Sequence, residues 1–293
     1  MNVETEINVK GGMGVSPVQY RAGKNGRLWL IVGVALIYSL TAQAQDQKKE
    51  EKAEVPRVMS VTPFSVIRGQ ATVLQIKGMN LSEATAVRIE SASGPVVGVI
   101  KSKAKIEPNK KGVAPKGGNS QIAVEILVPL DGKADSLSLV VTTPTGETPP
   151  KSLMVFAVGS VTEEKEPNGG FREAQEIERG KPVRGTIEDV TDVDVFKFHG
   201  KAGERIVAEI VAARRGSALD SLLTLYSEKG NTIAGNDDSE AGADSILKVK
   251  LPADGVYYLS LSDAQGTGSA AHCYLLTLRN AESTTRPAFK DAP

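Results

Sequence analysis

At 293 residues the chain is long enough for two hydrophobic cores, and a composition 40% hydrophobic and 24% charged excludes wholesale disorder or a collagen repeat. Basic and acidic side chains balance at 35 each, so no global charge recruits nucleic acid or an anionic membrane. A lone cysteine, Cys273, rules out an intrachain disulfide or a cysteine-rich zinc site, and two histidines, His199 and His272, leave little material for triads or zinc hydrolysis.

Arg21, Lys24 and Arg27 precede an apolar run from Leu28 to Leu40, followed by Ala42-Gln43-Ala44. That is the order of a secretory signal peptide, and it places cleavage after Ala44, with translation starting at Met1 or Met13. The apolar run falls short of the ~20 residues needed to span a bilayer. Export to the periplasm, cell surface or exterior is therefore expected, and an uncleaved helix anchoring the chain is the alternative. Residues 1–44 form the leader, and residues 45–54, QDQKKEEKAE, form a charged linker without apolar periodicity. Removing the leader leaves 31 basic and 33 acidic side chains.

Residues 55–158 carry short β-rich runs cut by glycine and proline: 57–61, 71–77, 85–90, 121–128, 136–142 and 151–158. Near period-two alternation in Val73-Leu74-Gln75-Ile76-Lys77 and Ala123-Val124-Glu125-Ile126 buries one face of each. About seven strands at this spacing predict an immunoglobulin-like β-sandwich. Val61-Thr62-Pro63, Arg68-Gly69, Val73, Ile76, Gly78-Met79-Asn80-Leu81 and Pro144-Thr145-Gly146 resemble the IPT/TIG family of immunoglobulin-like domains. The sequence departs from that pattern at residues 101–120, which read as a long inserted loop with six lysines and one glutamate. The loop is either simply solvated or an electrostatic contact for an acidic partner.

Residues 159–280 are again β-rich, with strand-like runs at 193–199, 205–213, 221–226, 245–251, 255–262 and 272–279. Turns fall at Lys201-Ala202-Gly203, Glu228-Lys229-Gly230-Asn231 and Ala253-Asp254-Gly255. The fold class is all-β: two β-sandwich domains, with a polar, flexible tail at residues 281–293. From Ser160 onward 16 basic residues face 22 acidic ones, the opposite polarity to the first domain.

Several short runs carry a resemblance here: Glu164-Lys165-Glu166-Pro167-Asn168, Gly185, Asp192-Val193-Asp194-Val195-Phe196-Lys197-Phe198, Asn236-Asp237-Asp238, Asp244-Ser245 and Leu251-Pro252-Ala253-Asp254-Gly255-Val256-Tyr257-Tyr258. Together they resemble the bacterial pre-peptidase C-terminal domain. The resemblance implies a non-catalytic, jelly-roll-like sandwich related to collagen-binding modules. Such domains usually sit beside a secreted peptidase and often bind calcium.

The catalytic search is negative. Motifs for serine hydrolases, zinc proteases and nucleotide binding are absent. The strings Ser102/Lys105 and Ser245/Lys248 lack the companion motifs that would make a nucleophile of either serine. His199 and His272 read as surface or hydrogen-bonding residues, and Cys273 as a small packing residue.

The acidic residues carry more. Glu164, Glu166 and Asn168 recur at every second position, and Pro167 biases Glu166 towards extended geometry, so three oxygen-bearing side chains point the same way. Calcium wants six to eight oxygens, so a second segment must contribute. Asp192 and Asp194 share the strand parity of Phe196 and Phe198 and supply it. Either these five residues hold one calcium ion or they form a solvated acidic turn. Asn236, Asp237, Asp238 and Asp244 form a second oxygen-rich run, which is either an Asx-rich turn or a second metal site. The function expected is that of a secreted, non-enzymatic binding or adhesion protein whose partner is an extracellular or envelope protein or a polysaccharide, with calcium stabilising its second module. The alternatives are an accessory to a separately encoded secreted peptidase or hydrolase, and a membrane-anchored envelope scaffold.

Overall fold

The computed structural model describes residues 55–91, 94–108, 117–240 and 242–282; the leader, the charged linker and the tail beyond Glu282 lie outside the described residues. The strands of the first region are β1 (Arg57–Thr62), β2 (Ser65–Ile67), β3 (Ala71–Met79), β4 (Ala86–Ser91), β5 (Gly94–Lys105), β6 (Ser120–Leu127), β7 (Ser136–Thr143), β8 (Gly146–Glu147) and β9 (Lys151–Phe156). They hydrogen-bond in the order β1-β3-β6-β5-β4-β7-β9-β2, with β8 added to β7.

The alternation seen in the sequence sets the faces. In β3, Leu74 and Ile76 are buried while Val73 and Lys77 look outward, and β6 inserts Ile122, Val124 and Ile126 opposite them. Each such fully buried Leu or Ile contributes about 1.5–3 kcal/mol. Residues 94–97 of β5 pair with β4 and residues 98–105 pair with β6, so one strand turns from the first layer into the second. The turn falls at Gly98, where a Cβ would sit 2.9 Å from Ile89 Cδ1.

The inserted loop expected at 101–120 is shorter than its composition implies. Lys103 and Lys105 pair with Ile122 and Ser120, and Lys101 reaches Glu125 at 3.0 Å. This half of β5 is an edge strand, and lysines on an edge discourage pairing with another chain while hiding the strand from a hydrophobicity reading. Residues 109–116 lie outside the described residues.

The second region contains β10 (Thr162–Glu163), β11 (Gln175–Glu176), β12 (Val183–Thr186), β13 (Asp194–Gly200), β14 (Arg205–Val211), β15 (Ser221–Ser227), β16 (Thr232–Asn236), β17 (Ile246–Lys250), β18 (Gly255–Asp263) and β19 (Cys273–Asn280), with one 3-10 turn at Ala213–Arg215. One sheet runs β10-β12-β19-β14-β17 and the other β11-β13-β18-β15-β16. Phe196, Phe198, Leu223 and Leu259 of the second sheet meet Tyr274, Leu276, Ile206 and Ile210 of the first in a common core.

The two regions are packed together. Phe64 and Met154 from the first, with Phe156 beside them, join Val211, Cys273 and Leu275 from the outward face of β14 and β19 in a small apolar cluster. Arg184 adds a hydrogen bond to the Ser65 carbonyl at 3.2 Å. Cys273 is thus a buried packing residue between the sandwiches, and burial raises its thiol pKa. No helix among the described residues is long and apolar enough to cross a membrane.

Candidate metal centre

The centre is assembled where the chain enters the second sandwich. β10 lies parallel to β12, and the Glu164 amide continues that pairing to the Arg184 carbonyl at 2.9 Å, which turns the Glu164 side chain towards the end of the core. Its Oε2 accepts the Thr186 amide at 2.9 Å; its Oε1 accepts Asn168 Nδ2 at 3.0 Å and faces the Tyr274 hydroxyl at 2.9 Å. The segment between β10 and β11, a strap of residues 164–174, then returns: the Asn168 amide donates to Glu166 Oε2 at 3.0 Å, and the Asn168 carbonyl accepts the Val195 amide at 3.0 Å. That last bond brings Asp194, the first residue of β13, against Asn168. Both side chains are fully buried.

One carboxylate oxygen from each of Glu164, Glu166 and Asp194 lies within 4.8 Å of the others. Buried beside them, Asn168 Oδ1 and Asp194 Oδ1 have no hydrogen-bond partner. An unmet buried acceptor costs about 1–3 kcal/mol, more when charged, so two together in one place call for a cation or, at Asp194, a proton shared with the Glu164 and Glu166 carboxyls. Tyr274, on the inward face of β19, also stands 2.5 Å from Asp194 Oδ2. A phenol has one hydrogen, so it serves Glu164 or Asp194 but not both. Without a cation, the carboxyl that the phenol does not serve must itself carry a proton to make its contact.

The electrostatics agree. Burial, reinforced by the neighbouring Glu164, pushes the Asp194 carboxyl up to about 10. Burial and the Glu164 and Asp192 charges raise Glu166 as well. Tyr274 is pushed well above the usual phenol range by burial and by Asp194 and Glu164. Oxygen-only donors, mostly carboxylates, with a carboxamide oxygen among them, are the chemistry of a hard divalent cation. Gly185 completes the cradle: a side chain on it would collide with Glu164 Oε2 and the Tyr274 hydroxyl.

Four of the five residues expected from the sequence converge here, and Asp192 does not join the group of three carboxylates. Its Oδ2 accepts the Glu188 amide at 2.5 Å and closes the 189–192 turn, so it acts on the centre through its charge. Tyr274, Gly185 and the Thr186 amide were not singled out as parts of the site. The available signal was Tyr274 itself, a hydroxyl on the inward parity of an otherwise apolar strand, which needs a polar partner.

The second oxygen-rich run does not gather as a metal site. Asp244 is buried, accepts the Ala212, Ala213 and Arg214 amides at 3.1, 2.6 and 3.4 Å, and pairs with Arg214 Nη1 at 3.3 Å. Asn236 Oδ1 accepts the Ile246 amide at 2.7 Å, while Asp237 and Asp238 are exposed. His272 is buried between the Thr267 and Ser269 hydroxyls at 3.0 and 2.9 Å, and His199 is exposed beside Glu176. Neither His272 nor His199 belongs to the group of acidic side chains at the centre.

Residues 192–263 match the bacterial pre-peptidase C-terminal domain family. A 131-residue stretch is 37% identical to a probable subtilase-type serine protease of Deinococcus radiodurans, covering 44% of this chain and 17% of that protein. The chain thus spans about a sixth of the length of that curated relative. Among solved structures, the pre-peptidase C-terminal domain of collagenase from Bacillus anthracis aligns at 17% identity over 40% of this chain and 100% of that chain, with a TM-score of 0.30. The secreted serine protease VesC from Vibrio cholerae aligns at 10% identity over 74% and 48%, with a TM-score of 0.26. The family match begins at Asp192, so it includes Asp194 but leaves Glu164, Glu166, Asn168 and Tyr274 outside.

Proposed function

We propose, from the pre-peptidase C-terminal domain at residues 192–263, that the protein is an exported, non-catalytic binding or adhesion protein whose second sandwich is closed by a calcium ion. The observation that carries the calcium reading is the pair of buried, unpartnered oxygens, Asn168 Oδ1 and Asp194 Oδ1, among three converging carboxylates. Glu164, Glu166, Asn168 and Asp194 would hold the ion, which would supply positive charge to groups that otherwise repel. Calcium suits a set drawn from a flexible strap and a strand end; magnesium demands a tighter octahedron and gives up its water reluctantly.

Clamping the strap onto β13 would order the entrance to the second sandwich and, through Tyr274 and its neighbour Cys273, the packing of the two sandwiches. The first sandwich is then a spacer of IPT/TIG type, a reading supported by Val61 and Ile76, which pair across β1 and β3 inside its core. Calorimetric melting of the exported protein in calcium, magnesium or chelator tests the proposal. A higher melting temperature in calcium alone is expected, and three superimposable curves would refute it.

A second reading, an accessory to a separately encoded secreted hydrolase, is favoured by the protease relative of which the matched stretch is a small part. Co-purification of a hydrolase from culture supernatant would select it.

A further inference from the structure

The outward face of β10, β12, β19, β14 and β17 is where the first sandwich packs, through Val211, Cys273 and Leu275. The other sheet is not covered in this way, and its two central strands have an unusual outward face. β18 presents Tyr258, Ser260 and Ser262, and β15 presents Leu222, Thr224 and Tyr226, paired as Tyr226 with Tyr258, Thr224 with Ser260 and Leu222 with Ser262. None of these positions is charged, and Lys197 of β13, which pairs with Tyr258, borders them on the other side. None of these five hydroxyls hydrogen-bonds to another group among the described residues. Gly235, opposite Thr224 on β16, keeps that side of the face low.

Phe171 closes one end. It lies three residues beyond Asn168 on the strap, stacks on Tyr258 at 4.5 Å and 20°, and meets Tyr226 at 5.3 Å and 59°. The adjacent pair Tyr257-Tyr258 divides as strand parity requires: Tyr257 is buried and donates to the Ala253 carbonyl at 2.6 Å, while Tyr258 faces out. The sequence holds no aromatic cluster. The cluster exists because a strap and two strands bring one ring each.

An uncharged strip of free hydroxyls, bordered by Lys197 of β13 and ending in the exposed Phe171 ring over two half-buried tyrosines, matches a ligand with many hydroxyls, no charge and an apolar ring face. We infer that this surface binds a neutral polysaccharide, with a pyranose stacked against the Phe171–Tyr258–Tyr226 group and the chain running over Thr224, Ser260 and Ser262. The inference rests on reading the protein as a non-catalytic binding protein and names its ligand class. Because Phe171 rides on the strap that carries Glu166 and Asn168, ordering the strap also orders the platform.

Affinity electrophoresis of the exported protein through gels containing hydroxyethylcellulose, xylan or glucomannan tests it, with alginate and a triple-helical Gly-Pro-Pro peptide as comparison ligands. Retardation by at least one neutral glycan is expected. Thr224→Lys and Ser260→Lys, which place a charge on the flat face, should each weaken it roughly tenfold, and Phe171→Ala by a similar factor. No retardation by any neutral glycan, retardation unchanged in both lysine variants, or binding confined to alginate or the triple-helical peptide would overturn the inference. The lysine variants should keep the calcium-dependent melting shift, so failure on glycans leaves the calcium centre standing, and loss of the shift with glycan binding intact removes only the calcium centre.

Discussion

Two acidic runs in the second sandwich have similar compositions and opposite fates. At Asp244 the carboxylate meets three backbone amides and an arginine, so its charge is spent on holding the Ala213–Arg215 turn. At Asp194 the surroundings are another carboxylate, a phenol and a carboxamide oxygen, and buried acceptors are left over. Both aspartates are buried, and burial raises both pKa values. What separates a structural aspartate from a candidate ligand is the supply of donors, and neither burial nor local sequence reveals that supply.

The comparison is broken most severely at its structural end. Asp244→Ala strands three amides and weakens the anchoring of Arg214, so it should cost about 3–4 kcal/mol, equally in calcium and in chelator, by urea denaturation. A calcium-dependent loss would move Asp244 into the metal class. Next in size is calcium itself. At about a hundred times its dissociation constant it should stabilise the protein by ~2.7 kcal/mol. Glu166→Ala should remove most of that gain in calorimetry while changing the chelated protein little.

Asp194 sharpens the contrast through pH. Its folded pKa of about 10 lies above its ordinary unfolded value, so between those limits the folded chain holds a proton that the unfolded chain does not. In chelator its contribution to stability is therefore largest at low pH and declines as pH rises towards 10. Asp194→Asn should flatten that decline in a melting series and abolish the calcium gain. A melting profile in chelator that keeps its slope in the variant would place the titration elsewhere.

Smaller effects follow. Tyr274→Phe removes one hydroxyl shared by two carboxyl groups and should cost about 1 kcal/mol in chelator. Asp237→Ala, on an exposed turn, should stay within about 0.5 kcal/mol with the calcium gain intact; a lost gain would restore the second run as a ligand set.

Much of this is legible in the sequence. Alternation of apolar residues marked the inner faces of β3 and β6, because a pleated strand with one buried face must alternate. Parity with Phe196 and Phe198 put Asp194 on the core side, and the every-second spacing of Glu164, Glu166 and Asn168 marked the strap. All of β5 was missed: residues 94–100 lie between the expected runs 85–90 and 121–128, and the lysines at 101, 103 and 105 read as a loop although the backbone there pairs with β6.

The sequence by itself determined the all-β class, the inward faces of β3, β6 and β13 and the identity of most candidate ligands, since these follow from local periodicity and side-chain chemistry. Only the tertiary structure decided which acids keep a free oxygen. Tyr274 reaches Glu164 across 110 residues and Asp194 across 80, while the amides that occupy Asp244 come from 30 to 32 residues away. The same holds for Phe171, Tyr226 and Tyr258, which become one surface when the strap folds back over β18. Partners so distant in the chain are chosen by packing, because a hydrogen bond or a ring contact acts over a few ångströms of space whatever the separation in sequence.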